Sequence, residues 1–358
     1  MLTSDRVILI FFALMFILGA ADYLLGSRMG LGTRFKEGLE TFAPLFLTMA
    51  GFIVLTPVLT RLLAPAAEPF FRLSGADPGL FPGMVLANDN GGYHLAQKLC
   101  FEKEAGGFGG MLLGSILGAN LICLPLALQL LDRQDRRFYF TGQMFGIMAI
   151  PFGLFAGGLA AGYRIGFILR QMPPIVLIAG IVALLLWRIP EKLVKALFIL
   201  AKVMEILSIS GACAAVFLEL SGFSLPGLDS IQVALKIIGS IVIVLPGVYV
   251  FTTILSRILS RKMPFLARRL GINDPAVAGF FSTLANSIPT LLVMKQMDSR
   301  GKLLNCAFLA PGAFMLGDHL AFCGAVAPEL LIPLILTKFT AAVVAVLLAW
   351  FYLRCQRG

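Results

Sequence analysis

The sequence predicts an all-α polytopic membrane protein, and three observations support that class. Only 13% of the 358 residues are charged, whereas a soluble globular chain carries about 25%. The mean hydropathy is +0.92. Long runs without any charged residue recur along the chain. A chain with so little charge cannot cover a soluble surface, so a lipid bilayer is its expected partner.

Nine segments are predicted to cross the bilayer. A helix rises about 1.5 Å per residue, so about 20 residues cross a hydrocarbon core of about 30 Å. Six of the segments are free of charge, and the sixth, eighth and ninth in the chain each contain one or two ionisable residues. They are 7–21, 41–60, 105–131, 138–163, 171–187, 196–218, 237–256, 303–323 and 330–353.

Two further apolar stretches, 78–97 and 275–294, are interrupted by glycine, proline and asparagine. Each is predicted to be a broken or re-entrant helical segment. Broken backbone at membrane depth leaves peptide groups unpaired, and this is tolerated only where protein or a wet cavity satisfies them. These two segments are therefore the expected location of a site.

The distribution of Lys and Arg predicts the orientation, because cytoplasmic loops of membrane proteins are enriched in them. If both broken segments return to their side of entry, 20 of the 29 basic residues lie on one side and seven on the other. We therefore expect the N-terminus outside and the C-terminus in the cytoplasm. The apolar run 7–18 is interpreted as an uncleaved first span, not as a signal peptide.

The same topology predicts an inverted repeat within a single transporter domain, 1–358. The first broken segment enters from outside and the second from the cytoplasm, and both contain Leu-Ala-Asn, at 86–88 and 284–286. Repeat 1 covers about 41–131 and repeat 2 about 231–323. Inverted repeats with broken helices meeting near the midplane are typical of secondary transporters.

Asp89 is the strongest candidate for binding a cation. It lies between Asn88 and Asn90 and is followed by two glycines. Ionisable groups inside a bilayer cost at least about 2.5 kcal/mol each, so each requires a functional or structural reason. The cluster suits a small cation or a polar amine with a hydroxyl group. The alternative is an Asx-type turn at the membrane interface.

Asp318 and His319 lie within the span 303–323. Asp318 could be a second counter-ion, and the imidazole of His319 could titrate near physiological pH. The alternative is a pair at the membrane surface. Asn286, which corresponds to Asn88 in the repeat, could bond a substrate hydroxyl, cap a half-helix, or do both.

Other functional classes fit less well. Six cysteines without a C-x-x-C pair and two histidines without a partner at ligand spacing predict no disulfide framework, no metal site and no cofactor. The basic residues form no patch with interleaved aromatics, so no nucleic-acid partner is expected. An intramembrane aspartyl protease would carry Gly-x-Gly-Asp, but Met315 stands at the first glycine position here.

Three blocks near the C-terminus resemble the ethanolamine transporters encoded with bacterial ethanolamine-utilisation genes. They are Leu284-Ala285-Asn286 with Ile288-Pro289, Met294-Lys295-Gln296-Met297-Asp298 with Arg300-Gly301-Lys302, and Leu316-Gly317-Asp318-His319-Leu320. The likeness extends upstream to Phe35-Lys36-Glu37-Gly38, Gly91-Gly92 and Ile189-Pro190-Glu191-Lys192.

This resemblance implies uptake of ethanolamine, a primary ammonium with one hydroxyl, across the bacterial inner membrane. Alternating access would follow from rocking one repeat against the other. Transport of another small polar or cationic metabolite with ion coupling is the alternative, and coupling to H⁺ or Na⁺ stays open. Small-residue spacing in 106–118 and 153–162 permits close helix packing, and a homo-oligomer also stays open.

Overall fold

The computed structural model describes residues 4–260 and 263–356, and within these ranges all regular structure is helical. Arg261, Lys262 and Arg357, which the count of basic residues includes, lie outside the described residues.

The first half of the chain forms ten α-helices, several of them joined directly by wider π-helical turns at Phe46–Ala50, Asn88–Gly92 and Gly107–Gly118. The helices are α1 (Ser4–Leu24), α2 (Leu31–Glu40), α3 (Phe42–Leu45), α4 (Gly51–Ser74), α5 (Leu80–Val85), α6 (Tyr93–Leu99), α7 (Lys103–Gly106), α8 (Ala119–Leu130), α9 (Arg136–Met148) and α10 (Ile150–Ala160).

The second half contains the longest single helices, together with short 3₁₀ turns at Met294–Gln296 and Pro328–Leu330. The α-helices are α11 (Ile165–Arg188), α12 (Pro190–Ser221), α13 (Ile231–Ser260), α14 (Met263–Leu270), α15 (Asp274–Ala285), α16 (Ser287–Val293), α17 (Ser299–Gly312), α18 (Asp318–Val326) and α19 (Leu331–Cys355).

In the described part of the chain, six helical stretches are long and apolar enough to cross a membrane, and the pair α9 and α10, bent by 40°, would make a seventh. The six are Arg6–Leu24, Leu31–Ser74, Lys103–Leu130, Ile165–Arg188, Ile231–Ile258 and Pro328–Cys355. The chain is thus a multi-pass membrane protein. The predicted count of nine is not confirmed, because 196–218 and 303–323 do not qualify as spans.

These two segments differ in kind. The 32-residue helix α12 is continuous through 196–218, but it includes Lys202 and Glu205. The span predicted at 303–323 is broken, because α17 ends at Gly312 and α18 begins only at Asp318. Phe314, between them, has a positive φ of 60°, which ends any regular helix.

The first broken segment folds back on itself, and we call residues 77–102 hairpin 1. The carboxylate of Asp77, at the start, accepts hydrogen bonds from the backbone N–H groups of Phe101 (3.0 Å) and Glu102 (2.9 Å), at the end. It also accepts one from the N–H of Gly79 (2.7 Å). The entry and exit of this segment are therefore fastened together.

The second broken segment, residues 273–298, is hairpin 2, and its ends are fastened in the same manner. The backbone N–H of Asn273 donates to Asp298 (2.5 Å), and the Asn273 side-chain amide donates to the carbonyl of Gln296 (2.8 Å). Its first arm, α15, has 12 residues, or about 18 Å of helix. That length is a little more than half the thickness of a hydrocarbon core of about 30 Å.

Hairpin 1 packs against the glycine-rich π-helical stretch between α7 and α8. A Cβ atom at Gly118 would collide with the carbonyl oxygen of Leu86, and one at Gly114 would lie 3.1 Å from the backbone nitrogen of Asn88. Gly153 and Gly157 of α10 similarly allow close approach of α19. The small-residue spacing thus serves packing within the chain.

Candidate functional site

The polar cluster predicted around Asp89 forms the tip of hairpin 1. After α5 the backbone becomes extended at Leu86 and Ala87, and turns at Asn90 and Gly91, where φ is 87° at the glycine. Asn88 is fully buried, and Asp89 and Asn90 are half-buried. The broken backbone thus presents amide and carboxylate groups at the end of the hairpin, as the sequence predicts.

Two acceptor oxygens at this tip have no hydrogen-bond partner among the described residues. They are Oδ1 of Asn88 and Oδ1 of Asp89. The amide nitrogen of Asn88 has only the sulfur of Met111, at 3.5 Å. Buried polar atoms are nearly always paired, so these two oxygens are available for a donor that the protein itself does not supply.

The tip of hairpin 2 is satisfied internally. Asn286 has an extended backbone, and its Oδ1 accepts a hydrogen bond from the N–H of Ile288 (2.9 Å), which caps α16. Thr290 bonds both the hydroxyl of Thr283 (2.8 Å) and the carbonyl of Gly279 (2.9 Å), which joins the two arms. The capping role considered for Asn286 is therefore present in the structure.

Asp318 begins α18, directly after the break that follows α17. The Tyr249 hydroxyl donates to its Oδ1 at 2.8 Å. Helix α18 contacts the π-helical turn that contains Asp89. The structure therefore brings Asp89 and Asp318 into one region, although they are 229 positions apart in the sequence.

The break beside Asp318 also connects it to hairpin 2. The N–H groups of Phe314 and Leu316 donate to the carbonyls of Thr283 and Leu284, at 3.2 and 2.8 Å. A Cβ atom at Gly317 would collide with the carbonyl oxygen of Ala285. Hairpin 2 and the broken span thus form one unit, and this explains why 303–323 is not a regular crossing.

His319 does not pair with its neighbour Asp318. It is 3% exposed, and its Nδ1 lies 3.2 Å from the Nζ of Lys338 in α19. The Lys338 ammonium, only 1% exposed, donates to the carbonyl of Ser115 at 2.6 Å. Ser115 belongs to the π-helical stretch on which hairpin 1 rests, and Lys338 also attracts Asp89 electrostatically.

A small cavity of about 10 Å³ lies where these elements meet. Polar members of its wall are Ser115, Asn120, Ser287 and His319. Oδ1 of Asn88 and Nδ2 of Asn120 are both buried without a hydrogen-bond partner in the described ranges. This volume holds about one water molecule, so any larger ligand requires the surrounding helices to separate.

The sequence-predicted residues thus divide between two neighbouring tips. Asn88, Asp89 and Asn90 lie on hairpin 1, whereas Asn286, Asp318 and His319 belong to hairpin 2 and the span joined to it. Three residues near the site were not predicted from the sequence: Lys338, Asn120 and Tyr249. Lys338 could have been predicted, because it is the one charge in the span 330–353 and charged residues inside a membrane are rarely without a role.

Comparison with known proteins identifies the relatives of this chain. The family model described as "Ethanolamine utilisation protein, EutH" matches residues 4–352. A protein of Listeria monocytogenes serotype 1/2a (strain 10403S), named "Probable ethanolamine permease EutH", is 37% identical over 347 residues, which cover 96% of this chain and 93% of the relative.

An Escherichia coli (strain K12) protein of the same name is 38% identical over 346 residues, or 89% of this chain and 85% of the relative. "Uncharacterized protein YxeR" of Bacillus subtilis (strain 168) is 34% identical over 96% of this chain and 94% of its own length. No solved structure matches the chain.

Proposed function

We propose that this chain, which belongs to the EutH family of ethanolamine utilisation proteins, is a membrane transporter that takes up ethanolamine. Relatives at 37–38% identity are named probable ethanolamine permeases. The observation that carries the proposal is the placement of two carboxylates, Asp89 and Asp318, on broken helical elements that contact each other. Two half-buried acids, one of them with an unpaired oxygen, suit a small cation.

The groups at the site match the chemistry of an ethanolammonium ion. Its ammonium has three N–H donors, and the unpaired oxygens of Asp89 and Asn88 are acceptors. Asp318 adds a second negative charge that Tyr249 orients. Asn90 and the amide nitrogen of Asn286 are assigned to the hydroxyl group. His319 contributes indirectly, through its contact with Lys338.

Alternating access is the mechanism that this arrangement supports. Between hairpin 1 and hairpin 2 lie α7–α8, the bent pair α9–α10, three single helices, α11, α12 and α13, and the short α14. We count α12 as a crossing in addition to the candidate spans named above. With five crossings, the hairpins enter from opposite faces, as an inverted repeat requires. Rocking repeat 1 (about 41–131) against repeat 2 (about 231–323) would then open the site to either side. In this topology the N-terminus lies outside and the C-terminus in the cytoplasm.

Purified protein in liposomes tests the proposal directly. We expect uptake of radiolabelled ethanolamine that excess unlabelled ethanolamine abolishes. Ethylamine, which lacks the hydroxyl, and choline, which lacks the N–H donors, should compete at least about tenfold less well, since each loses buried hydrogen bonds worth about 1.4 kcal/mol or more. Protein-free liposomes, measured at the same pH, correct for passive entry of the neutral amine.

The same assay separates the alternatives. Flux of a different ammonium compound, with no ethanolamine flux, would assign the site to another small cationic metabolite. Cleavage of a membrane-span peptide without any flux would indicate a protease, which no observation at Asp89 or Asp318 favours. Ligand binding without flux would indicate a sensor.

A further inference from the structure

Lys338 is the buried charge that the proposed binding reaction leaves without a task. It lies about two turns into α19, is 1% exposed, and is among the largest fully buried side chains in the described residues. A lysine in this position is expensive unless acceptors satisfy its ammonium. The burial of Lys338 therefore requires an explanation.

The surroundings of Lys338 supply two acceptors for its three N–H groups. One is the carbonyl of Ser115 at 2.6 Å, and the other is Nδ1 of His319 at 3.2 Å. The Ser115 carbonyl belongs to the π-helical stretch, and its oxygen can accept this bond because a carbonyl oxygen has two lone pairs. Cys123 is the remaining titratable group that interacts with this lysine, besides Asp89.

Asp89 lies on the tip that the fold brings towards this ammonium. Gly114, the neighbour of Ser115, abuts the backbone of Asn88, which precedes Asp89. No direct ion pair joins Lys338 and Asp89 among the described residues, so their attraction acts at longer range. Oδ1 of Asp89 has no hydrogen-bond partner in the described part of the chain. The lysine and a substrate ammonium would thus act on the same carboxylate.

The charges of the site give a simple balance. When Asp89, Asp318 and Lys338 are all ionised, the site holds two negative charges and one positive charge, and His319 adds none when its Nδ1 accepts a hydrogen bond. The site therefore lacks one positive charge, which a single ethanolammonium ion supplies. Without Lys338 it would lack two, and the empty protein would bury both carboxylates without any cation.

We propose that Lys338 is a fixed internal cation that takes the place of a transported co-ion. This inference rests on the proposed function. The lysine neutralises Asp89 while the site is empty, which allows the empty protein to change sides, and it shares Asp89 with the substrate ammonium in the loaded state. Transport then carries one monovalent cation per cycle with no requirement for Na⁺ or a proton gradient.

The test compares two fluxes of radiolabelled ethanolamine in proteoliposomes. Net uptake into substrate-free liposomes requires the empty protein to change sides, whereas exchange against internal unlabelled ethanolamine does not. We expect wild-type net uptake without Na⁺ and without an ion gradient. In Lys338→Met, net uptake should fall at least about tenfold more than exchange, because only the empty state buries two uncompensated charges.

Two further variants provide controls. Lys338→Arg keeps the positive charge and should retain a higher ratio of net uptake to exchange than Lys338→Met. Lys236→Met makes the same chemical change in α13 at a position outside the site, and its ratio should equal that of the wild type. Added Na⁺ should raise net uptake of Lys338→Met, because a free cation can then occupy the place of the lysine.

The possible failures can be told apart. Wild-type protein without ethanolamine flux would overturn the proposed function and, with it, this inference. Wild-type flux that requires Na⁺ or a proton gradient would overturn the inference alone. The inference would also be overturned by a Lys338→Met protein that elutes as a monodisperse particle and either loses exchange and net uptake in equal proportion or keeps both.

Discussion

Hairpin 1 and hairpin 2 share a backbone plan and differ in where they carry charge. Both are fastened at the base by a carboxylate, Asp77 in one and Asp298 in the other, and both break at an Asn that follows Leu-Ala. Hairpin 1 has its own acid at the tip, Asp89, with unpaired oxygens. Hairpin 2 has a neutral, internally bonded tip and obtains its charge from Asp318 on the adjoining broken span.

The difference shows that repeat-like architecture does not require repeat-like chemistry. In hairpin 2, Asn286 and Thr290 spend their hydrogen-bonding capacity on the hairpin itself. In hairpin 1, Oδ1 of Asn88 and Oδ1 of Asp89 have no hydrogen-bond partner among the described residues. We therefore assign the more direct substrate contact to hairpin 1 and the supporting role to hairpin 2, and four predictions follow this assignment from the largest effect to the smallest.

Removal of either carboxylate should have the largest effect. Asp89→Asn and Asp318→Asn should each reduce ethanolamine uptake about 100-fold or more, since losing one partner of a buried charge pair costs about 3 kcal/mol or more. Asp89→Asn should be the more severe, because Asp318 already shares its charge with Tyr249. Initial uptake rates, normalised to the protein content of the liposomes, measure this.

Glu219→Gln is the matched control, because this acid is exposed on α12 and bonds Gln232. It should transport normally. Normal uptake by both aspartate variants would refute the counter-ion assignment, and a larger loss in Asp318→Asn would reverse the order of the two hairpins.

The second largest effect should come from substitution of glycines at which two backbones lie close together, and it should be similar at both hairpins. Gly118→Ala would press on Leu86 of hairpin 1, and Gly317→Ala on Ala285 of hairpin 2. Each should destabilise the protein by about 1–3 kcal/mol, as overpacking does. Thermal unfolding of detergent-purified protein reports this as a lower Tm.

Gly180→Ala in α11 is the control for these variants, because its added Cβ meets nothing within 4 Å. It should leave Tm equal or slightly higher, since Ala favours helix. If the Tm of Gly118→Ala equalled that of Gly180→Ala, hairpin 1 would not be in tight contact with the glycine-rich stretch.

The hydroxyl bridge of hairpin 2 should have a smaller effect on stability. Thr290→Val removes the bonds to Thr283 and Gly279 while preserving shape. We expect a loss of about 1 kcal/mol, typical of side-chain hydrogen bonds in membranes, and uptake affected less than in the aspartate variants. Thr290→Ser retains the hydroxyl and should restore Tm. A loss of uptake as large as that of Asp89→Asn would place hairpin 2 in direct contact with substrate.

The smallest effect should come from the exposed ion pair of Lys202 and Glu205 on α12, at 2.8 Å. Exposed pairs contribute about 0–1 kcal/mol. Lys202→Ala should therefore change neither uptake nor Tm measurably. A large loss would show that α12 holds this pair in a buried interface outside the described contacts.

The sequence predicted the positions of the two breaks because glycine, proline and asparagine interrupt otherwise charge-free runs there. Asp89 and Asp318 are conspicuous as candidate counter-ions because a charge in lipid is costly. The structure brings them into one region, and their role in binding stays a prediction.

Other features depend on contacts between distant parts of the chain, which periodicity cannot show. The Asp77 and Asp298 side chains read as ordinary loop acids until the structure places them across the hairpin bases. The pairing of Lys338 with Ser115 joins residues 223 positions apart. The span predicted at 303–323 looked continuous because the residues at its break are mostly apolar.

The glycine-rich stretch beneath hairpin 1 also bears on how this part of the protein could move. Separating the two arms of hairpin 1 would break the hydrogen bonds of the Asp77 carboxylate. Translating the whole hairpin would keep those bonds and break only the one from the Asp77 N–H to Gln171 of α11, among the bonds of Asp77. At Gly114 and Gly118 the opposing helix presents backbone without side-chain ridges, so no interlocking side chain has to be lifted there. Shear, a small sliding of packed elements, is a displacement that this contact permits.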